Sequence, residues 1–260
     1  MTTRDTAWPA GTPCWIDHMS TDAAKARDFY AALLGWDIEV GPEEVGGYAT
    51  ARVGGRKVAG IMGADSLPHP SVWTTYLATD DINKTCEAIS AAGGTIVQPA
   101  MDVMDLGSMA VAIDPAGATF GLWQSKEHTG VELANESGAL TWNEQMSRDY
   151  EGSKAFYGSV FGYTFTEMGD GNFKYSMIEV DGNTVGGIGE MPAEVPAEVP
   201  AGWRVYLAVD DTDAAIVKAG ELGGSALGEP MDMPYGRQAD IADSTGARLV
   251  IIQIAADAPE

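Results

Sequence analysis

The chain says much of what it has to say twice. Cys14 to Trp36, reading CWIDHMSTDAAKARDFYAALLGW, returns at Thr141 to Tyr163 as TWNEQMSRDYEGSKAFYGSVFGY. Each copy opens with alternating residues that suit a strand, and then polar residues that can cap a helix: Ser20, Thr21 and Asp22, or Ser147, Arg148 and Asp149. A helical run follows, in which Phe29-Tyr30 with Leu33-Leu34, or Phe156-Tyr157 with Val160-Phe161, makes one buried face. Gly35-Trp36 and Gly162-Tyr163 close the units, with glycine at the helix C-cap.

The echo extends to the rest of both halves. Tyr48 matches Tyr175, and Gly60-Ile61 matches Gly187-Ile188, all in one register. Past an insertion, MPAEVPAEVPAG, the pairs Trp73 and Trp203, Tyr76 and Tyr206, Asp80-Asp81 and Asp210-Asp211, and Met101-Asp102 and Met231-Asp232 follow. Asp114, Gly117 and Gln124 then match Asp243, Gly246 and Gln253. Two domains are expected, at residues 1–125 and 139–260, joined by a linker at 126–138.

Each half divides again. In the first, strands are expected at Cys14 to Met19, Asp37 to Val40, Tyr48 to Val53, Lys57 to Met62, Val72 to Thr79, Thr95 to Gln98, Ser108 to Ile113 and Thr119 to Gln124. Helices are expected near Ala23 to Leu34 and Ile82 to Ala92, which gives βαβββ four times over the whole chain. Val53-Gly54-Gly55 and Val180-Asp181-Gly182 read as hairpin turns, and the Pro-Ala-Glu stretch at 191–201 as a loop. The expected fold class is α+β, with each domain a curved sheet that carries helices on its outer face and leaves a trough on the other.

Composition narrows the function. The 38 acidic residues against 15 basic give a net charge of −23, which repels phosphate backbones and anionic membranes, so neither nucleic acid nor membrane is an expected partner. Cys14 and Cys86 have no CxxC partner, and no apolar run suits a signal peptide or a bilayer span; a cytoplasmic protein is expected.

The FYAALLGW text, Asp80-Asp81 after the fifth strand and DPAGATFGLWQ at the end of the half together resemble the vicinal oxygen chelate superfamily, also called the glyoxalase/bleomycin-resistance/dioxygenase family. The resemblance covers both halves and implies two such domains in tandem. Metal-dependent members hold a divalent ion at three strand positions, which fall here on Trp15, Thr74 and Gly121, and on Trp142, Arg204 and Val250. None of the six is a usual ligand, so no metal and no other cofactor is expected. Of the histidines, His18 falls in a strand, His69 in a Pro-flanked loop and His128 in the linker. Asp105 and Asp240 read as exposed loop carboxylates. Gly186-Gly187-Ile188-Gly189 superficially resembles a phosphate loop, but Met191-Pro192 follows where a helix should begin.

Aromatic residues recur where the ligands are missing. Trp15, Tyr48, Trp73, Tyr76 and Trp123, with Trp142, Tyr175, Trp203 and Tyr206, are candidates to line the troughs, some of them as core. Met101 and Met104, and Met231, Met233 and Tyr235, lie on loops expected before the seventh strand of each half and make candidate rims. Asp17 and Glu144 share a face with Trp15 and Trp142; each reads either as a carboxylate satisfied by its neighbours or as a group that orients ligand or moves a proton.

The favoured reading is a metal-free protein that binds a small aromatic natural product or drug, for sequestration, resistance or an accessory step in biosynthesis. Its acidity reads first as surface solubility and second as suited to a cationic ligand such as an amino-sugar-bearing polyketide or a glycopeptide. The alternative is a cofactor-independent hydroxylase, isomerase or lyase with Asp17 or Glu144 as base and Tyr76 or Tyr206 as acid. A metalloenzyme comes third. The assembly is expected to be a monomer with pseudo-dimeric halves or a homodimer.

Overall fold

Four aspartates start the helices. Asp22, Asp81, Asp149 and Asp211 each accept a hydrogen bond from the backbone N–H three residues on, a cap that contributes about 1 kcal/mol. The second residue of each Asp-Asp pair is thus a helix cap. Gly35 and Gly162 end the first and third helices at φ of 68° and 71°, where an L side chain is strained. Both central residues of the two expected hairpins also have positive φ, Gly54 and Gly55 at 56° and 81°, Asp181 and Gly182 at 51° and 76°.

The computed structural model describes residues 2–43, 46–64, 70–169 and 173–256. After a short β1 (Thr2–Thr3), the first module is β2 (Pro13–Ser20), α1 (Ala23–Leu34), β3 (Asp37–Val40), β4 (Ala49–Val53) and β5 (Arg56–Gly63). The second is β6 (Val72–Ala78), α2 (Ile82–Ala91), β7 (Thr95–Val103), β8 (Gly107–Ile113) and β9 (Thr119–Ser125). Beyond β10 (Leu133–Ala134), the third is β11 (Leu140–Ser147), α3 (Tyr150–Phe161), β12 (Thr164–Glu167), β13 (Tyr175–Val180) and β14 (Asn183–Glu190). The fourth is β15 (Gly202–Ala208), α4 (Thr212–Glu221), β16 (Ser225–Ala226), β17 (Met231–Met233), β18 (Gly236–Ala242) and β19 (Arg248–Ile254).

Two modules join edge to edge in each domain. The first sheet runs β3-β4-β5-β2-β6-β9-β8-β7, with β2 and β6 antiparallel at the seam. The second runs β12-β13-β14-β11-β15-β19-β18-β16, seamed by β11 and β15. One expectation is corrected here. Met101 to Val103 finish β7 and Met231 to Met233 form β17, so these residues lie on edge strands and only the turns that follow are loop. Proline explains the misreading: β7 bulges around Pro99, and Pro230 separates β17 from β16.

The helical faces of the two sheets meet each other. Helix α1 packs on α4 and α2 on α3, so one core joins Phe29 and Tyr30 to Ala219 and Ile241, and another joins Ile89 and Phe120 to Phe156 and Tyr157. Two buried aspartates cross this boundary in opposite directions. Asp243 accepts from His18 at 2.7 Å and Tyr30 at 2.8 Å, while Asp114 accepts from Gln145 at 3.1 Å and Tyr157 at 3.0 Å. Trp73 and Trp203 complete the clusters by donating to the hydroxyls of Tyr30 (2.9 Å) and Tyr157 (2.8 Å).

That placement corrects a second expectation. Trp73 and Trp203 do not line the troughs; they stand on the helix-packed face, among the interdomain aromatic residues. The period of two along a strand is the reason, since Tyr76 and Tyr206 lie three residues on and point the other way. His18, too, is a core residue, bonded through Nε2 to Asp243 while its Nδ1 has no partner, and His69 lies outside the described residues.

Candidate functional site

On the concave face of the first sheet, strand pairing sets Trp15 beside Tyr76 and Asp17 beside Thr74. The indole N–H of Trp15 donates to Asp17 Oδ1 at 2.7 Å, and the Tyr48 hydroxyl donates to the same oxygen at 2.6 Å. Tyr76 lies close enough to this carboxylate to favour its charged form. Burial raises the Asp17 carboxyl above the usual carboxylate range against the pull of these donors, and the same burial, with Asp17 alongside, pushes both phenols well up.

The second sheet repeats the figure with one change. Tyr175 donates to Glu144 at 3.0 Å, Tyr206 donates at 2.6 Å, and Trp142 donates to the Tyr175 hydroxyl at 3.0 Å. Where the first domain has Thr74, the second has Arg204, which pairs with Glu144 at 2.9 Å and also bonds Asp240. Asp240 is therefore a strand residue in an ion pair, which corrects its reading as an exposed loop carboxylate. Burial would lower the Arg204 pKa, but Glu144, Tyr206 and Asp240 hold it above the ordinary value.

Glycines make room for the rings. A Cβ on Gly60 would sit 1.9 Å from the Tyr48 hydroxyl, one on Gly187 would sit 1.9 Å from that of Tyr175, and one on Gly121 would strike the Tyr76 ring. The repeated Gly60-Ile61 and Gly187-Ile188 are thus the floor on which each tyrosine reaches its carboxylate.

The troughs differ in what covers them. In the first, His128 from the interdomain segment sets its ring 4.3 Å from Trp15, edge to face, and 5.3 Å from Trp123, whose N–H donates to the His128 carbonyl at 2.8 Å. Trp15 is left only 3% exposed. Burial, with Lys57 nearby, lowers the His128 pKa to about 4, so its ring is neutral at pH 7. A cavity of about 260 Å³ remains beside it, lined by Tyr48, Thr50, Arg52, Lys57, Leu106 and His128 among others. In the second trough Trp142 is partly exposed, and the same domain leaves large apolar residues in solvent: Met231 at 47%, Met233 at 45%, Tyr235 at 37% and Phe173 at 48%. Phe173 stacks on Tyr175 at 5.7 Å, and Tyr235 lies near enough to Tyr175 to help raise its pKa. Met101 and Met104 remain exposed at the edge of the first sheet.

These donor sets do not fit a divalent ion. Trp15 and Trp142 present N–H donors where a ligand lone pair is needed, Gly121 carries no side chain, and Arg204 puts a cation at the second of the three positions in the second trough. Among the described residues no three of His, Cys, Asp and Glu converge.

Sequence reasoning missed the parts played by Arg204, His128, Phe173 and the glycines. Arg204 is read only as a failed ligand, although a carboxylate beside it on the neighbouring strand requires a counter-charge. His128 and Phe173 lie on segments without periodicity, which carry no signal of what they cover. The glycines are visible as a repeat but not as clearance.

The comparisons agree with this architecture. The family model described as Glyoxalase/Bleomycin resistance protein/Dioxygenase superfamily matches residues 15–122 and 140–251. CFP32 of Mycobacterium tuberculosis is 38% identical over 94% of this chain and 95% of its own length. The anthracycline biosynthesis protein DnrV of Streptomyces peucetius is 33% identical over 96% of this chain and 95% of its own. Among solved structures, the Mn(II)-bound glyoxalase from Novosphingobium aromaticivorans superposes with a TM-score of 0.65 at 15% identity, covering 94% of this chain and 82% of that one. The homoprotocatechuate 2,3-dioxygenase of Brevibacterium fuscum, in complex with 3,4-dihydroxyphenylacetate, gives 0.66 at 15% identity, over 98% and 85%.

Proposed function

Since this chain belongs to the Glyoxalase/Bleomycin resistance protein/Dioxygenase superfamily, we propose that it uses the family trough to bind a planar aromatic natural product without a metal. The observation that carries this reading is the second trough, where Trp142 is partly exposed, Phe173 and Tyr235 lie beside its partner Tyr175, and Met231 and Met233 stand in solvent on an edge strand. Exposed rings and thioethers around a polar floor suit a flat ring system, each aromatic contact contributing about 1 kcal/mol beyond burial. The floor carries two carboxylates, Glu144 and Asp240, against one cation, Arg204, and so favours a ligand with a basic group. Relatives named as anthracycline biosynthesis proteins, DnrV and DauV, support the same ligand class. The protein would act as a soluble carrier or sequestering partner in the making or neutralising of such a compound.

The test is a fluorescence titration with an anthracycline and an uncharged hydroxyanthraquinone. Saturable quenching is expected, lost in Trp142→Leu and tighter for the cationic compound. Absence of quenching and of any thermal shift with both would refute the reading.

A second reading rests on Asp17, a partly exposed carboxyl whose pKa is raised by burial and which lies beside the Tyr48 hydroxyl, an arrangement that suits proton transfer with a substrate. Turnover of a bound compound, abolished in Asp17→Asn while binding persists, would establish it.

A further inference from the structure

We propose that the first trough is filled by the chain itself, with His128 in the place of a ligand ring, so that the protein carries one ligand site and that site is in the second domain. The location of the free site rests on the binding reading above; the filling of the first trough does not.

Residues 126–132 cross the mouth of the first trough as a fitted strap. Lys126 and His128 both donate backbone N–H to Leu106, each at 3.0 Å; Val131 donates to Cys14 and Glu132 to Lys57, both at 2.8 Å. The strap is thereby anchored to the β7–β8 turn, to β2 and to β5. From the other side Trp8 donates to the Val131 carbonyl at 3.0 Å. Gly130 permits the close approach, with φ of 102° and a Cβ position only 2.3 Å from the Cys14 carbonyl, where no other residue fits.

The strap delivers a ring. At 4.3 Å from the centroid of Trp15, edge to face, and 5.3 Å from that of Trp123, tilted, the imidazole makes ring contacts of the kind an aromatic guest would make with the same pair. The adjoining cavity of about 260 Å³ shows that removing this ring would open a space continuous with existing room rather than an isolated void. In the second domain no aromatic or imidazole ring among the described residues packs against Trp142 as His128 does against Trp15, and Trp142 is partly exposed where Trp15 is covered.

Counting bound equivalents of an uncharged hydroxyanthraquinone by equilibrium dialysis tests the proposal. Wild type should bind one equivalent and His128→Ala two, since alanine keeps the carbonyl that holds Trp123 while removing the ring; His128→Phe should bind one. Equal counts in wild type and His128→Ala, or two in wild type, would overturn it. Zero in wild type with one in His128→Ala would uphold the filled first trough and refute the second-trough site. Should the alanine variant not fold, the wild type decides: the His128 ring-proton resonances, displaced by Trp15 and Trp123, are expected to stay put at saturating probe, and their return to ordinary positions would mean that the probe has expelled the ring.

Discussion

Arg204 donates to Glu144 at 2.9 Å, and the residue that stands in the same relation to Asp17 in the first domain is Thr74. One duplicated site has gained a cation and its twin has not. Glu144 is buried and ion-paired with Arg204; Asp17 is hydrogen-bonded by the neutral donors Trp15 and Tyr48, and burial raises its pKa.

Removing the cation should therefore expose the difference. Arg204→Thr is expected to lower stability at pH 7 by about 1–3 kcal/mol, below the full cost of breaking a buried pair because the guanidinium is a third exposed. Arg204→Thr with Glu144→Gln should recover most of the loss, since no unpaired charge remains. Urea unfolding of the single and double variants reads both quantities, and additive losses would show that the pair is not coupled.

Much of this was legible in the chain because duplication prints each feature twice. The βαβββ order, the hairpins at Gly54-Gly55 and Asp181-Gly182, and the placing of Asp17 with Trp15 all follow from periodicity and turn chemistry. The place of Trp73 and Trp203 is not legible because each strand carries a large aromatic residue on either face, and the pattern does not say which face holds the helices. The strap carrying His128 was illegible for another reason: its shape comes from backbone hydrogen bonds to Leu106, Cys14 and Lys57, partners that composition does not reveal.

Clearance under the tyrosines predicts a second effect. Alanine at Gly60 would place its methyl 1.9 Å from the Tyr48 hydroxyl, so the ring must move off Asp17. Gly60→Ala is expected to destabilise by about 1–3 kcal/mol, as overpacked sites do, and Tyr48→Ala in the same chain should relieve part of it. Gly187→Ala with Tyr175 should behave alike. Thermal melts measure this; an unchanged melting temperature in both glycine variants would contradict the packing described.

The rim of the second trough should matter to ligand and not to folding. Tyr235 is 37% exposed and near Tyr175, so Tyr235→Ala should weaken hydroxyanthraquinone binding about five- to tenfold, the equivalent of roughly 1 kcal/mol for one aromatic contact, without moving the melting temperature. Met104→Ala, at the edge of the first sheet, should leave affinity unchanged. Titrations of the two variants side by side give the contrast.

The crossed aspartates between domains should respond to pH with opposite signs. Burial opposes ionisation of both. At Asp243, His18, Tyr30 and Thr245 outweigh it and bring the pKa to about 2; at Asp114 burial prevails over backbone and side-chain donors and the pKa is raised. Asp243 in the folded chain therefore titrates below its unfolded value, so the stability it contributes is full above pH 4 and is lost as pH falls from about 4 to about 2. Asp243→Asn should cost about 3 kcal/mol at neutral pH, because the buried His18 loses its partner, and the gap from wild type should narrow as pH falls through that window. Asp114 holds its proton longer when folded, so its contribution is present below the unfolded pKa and is lost as pH rises through the folded one. Asp114→Asn resembles the protonated form and should gain on wild type as pH rises through the same range. Asparagine can still accept from Ala116 and Ala118, and Gln145, whose Oε1 has no partner, can turn to accept from the new amide. Unfolding midpoints in denaturant between pH 2.5 and pH 7 should give difference curves of opposite slope for the two variants; parallel curves would mean that the two clusters carry the same charge.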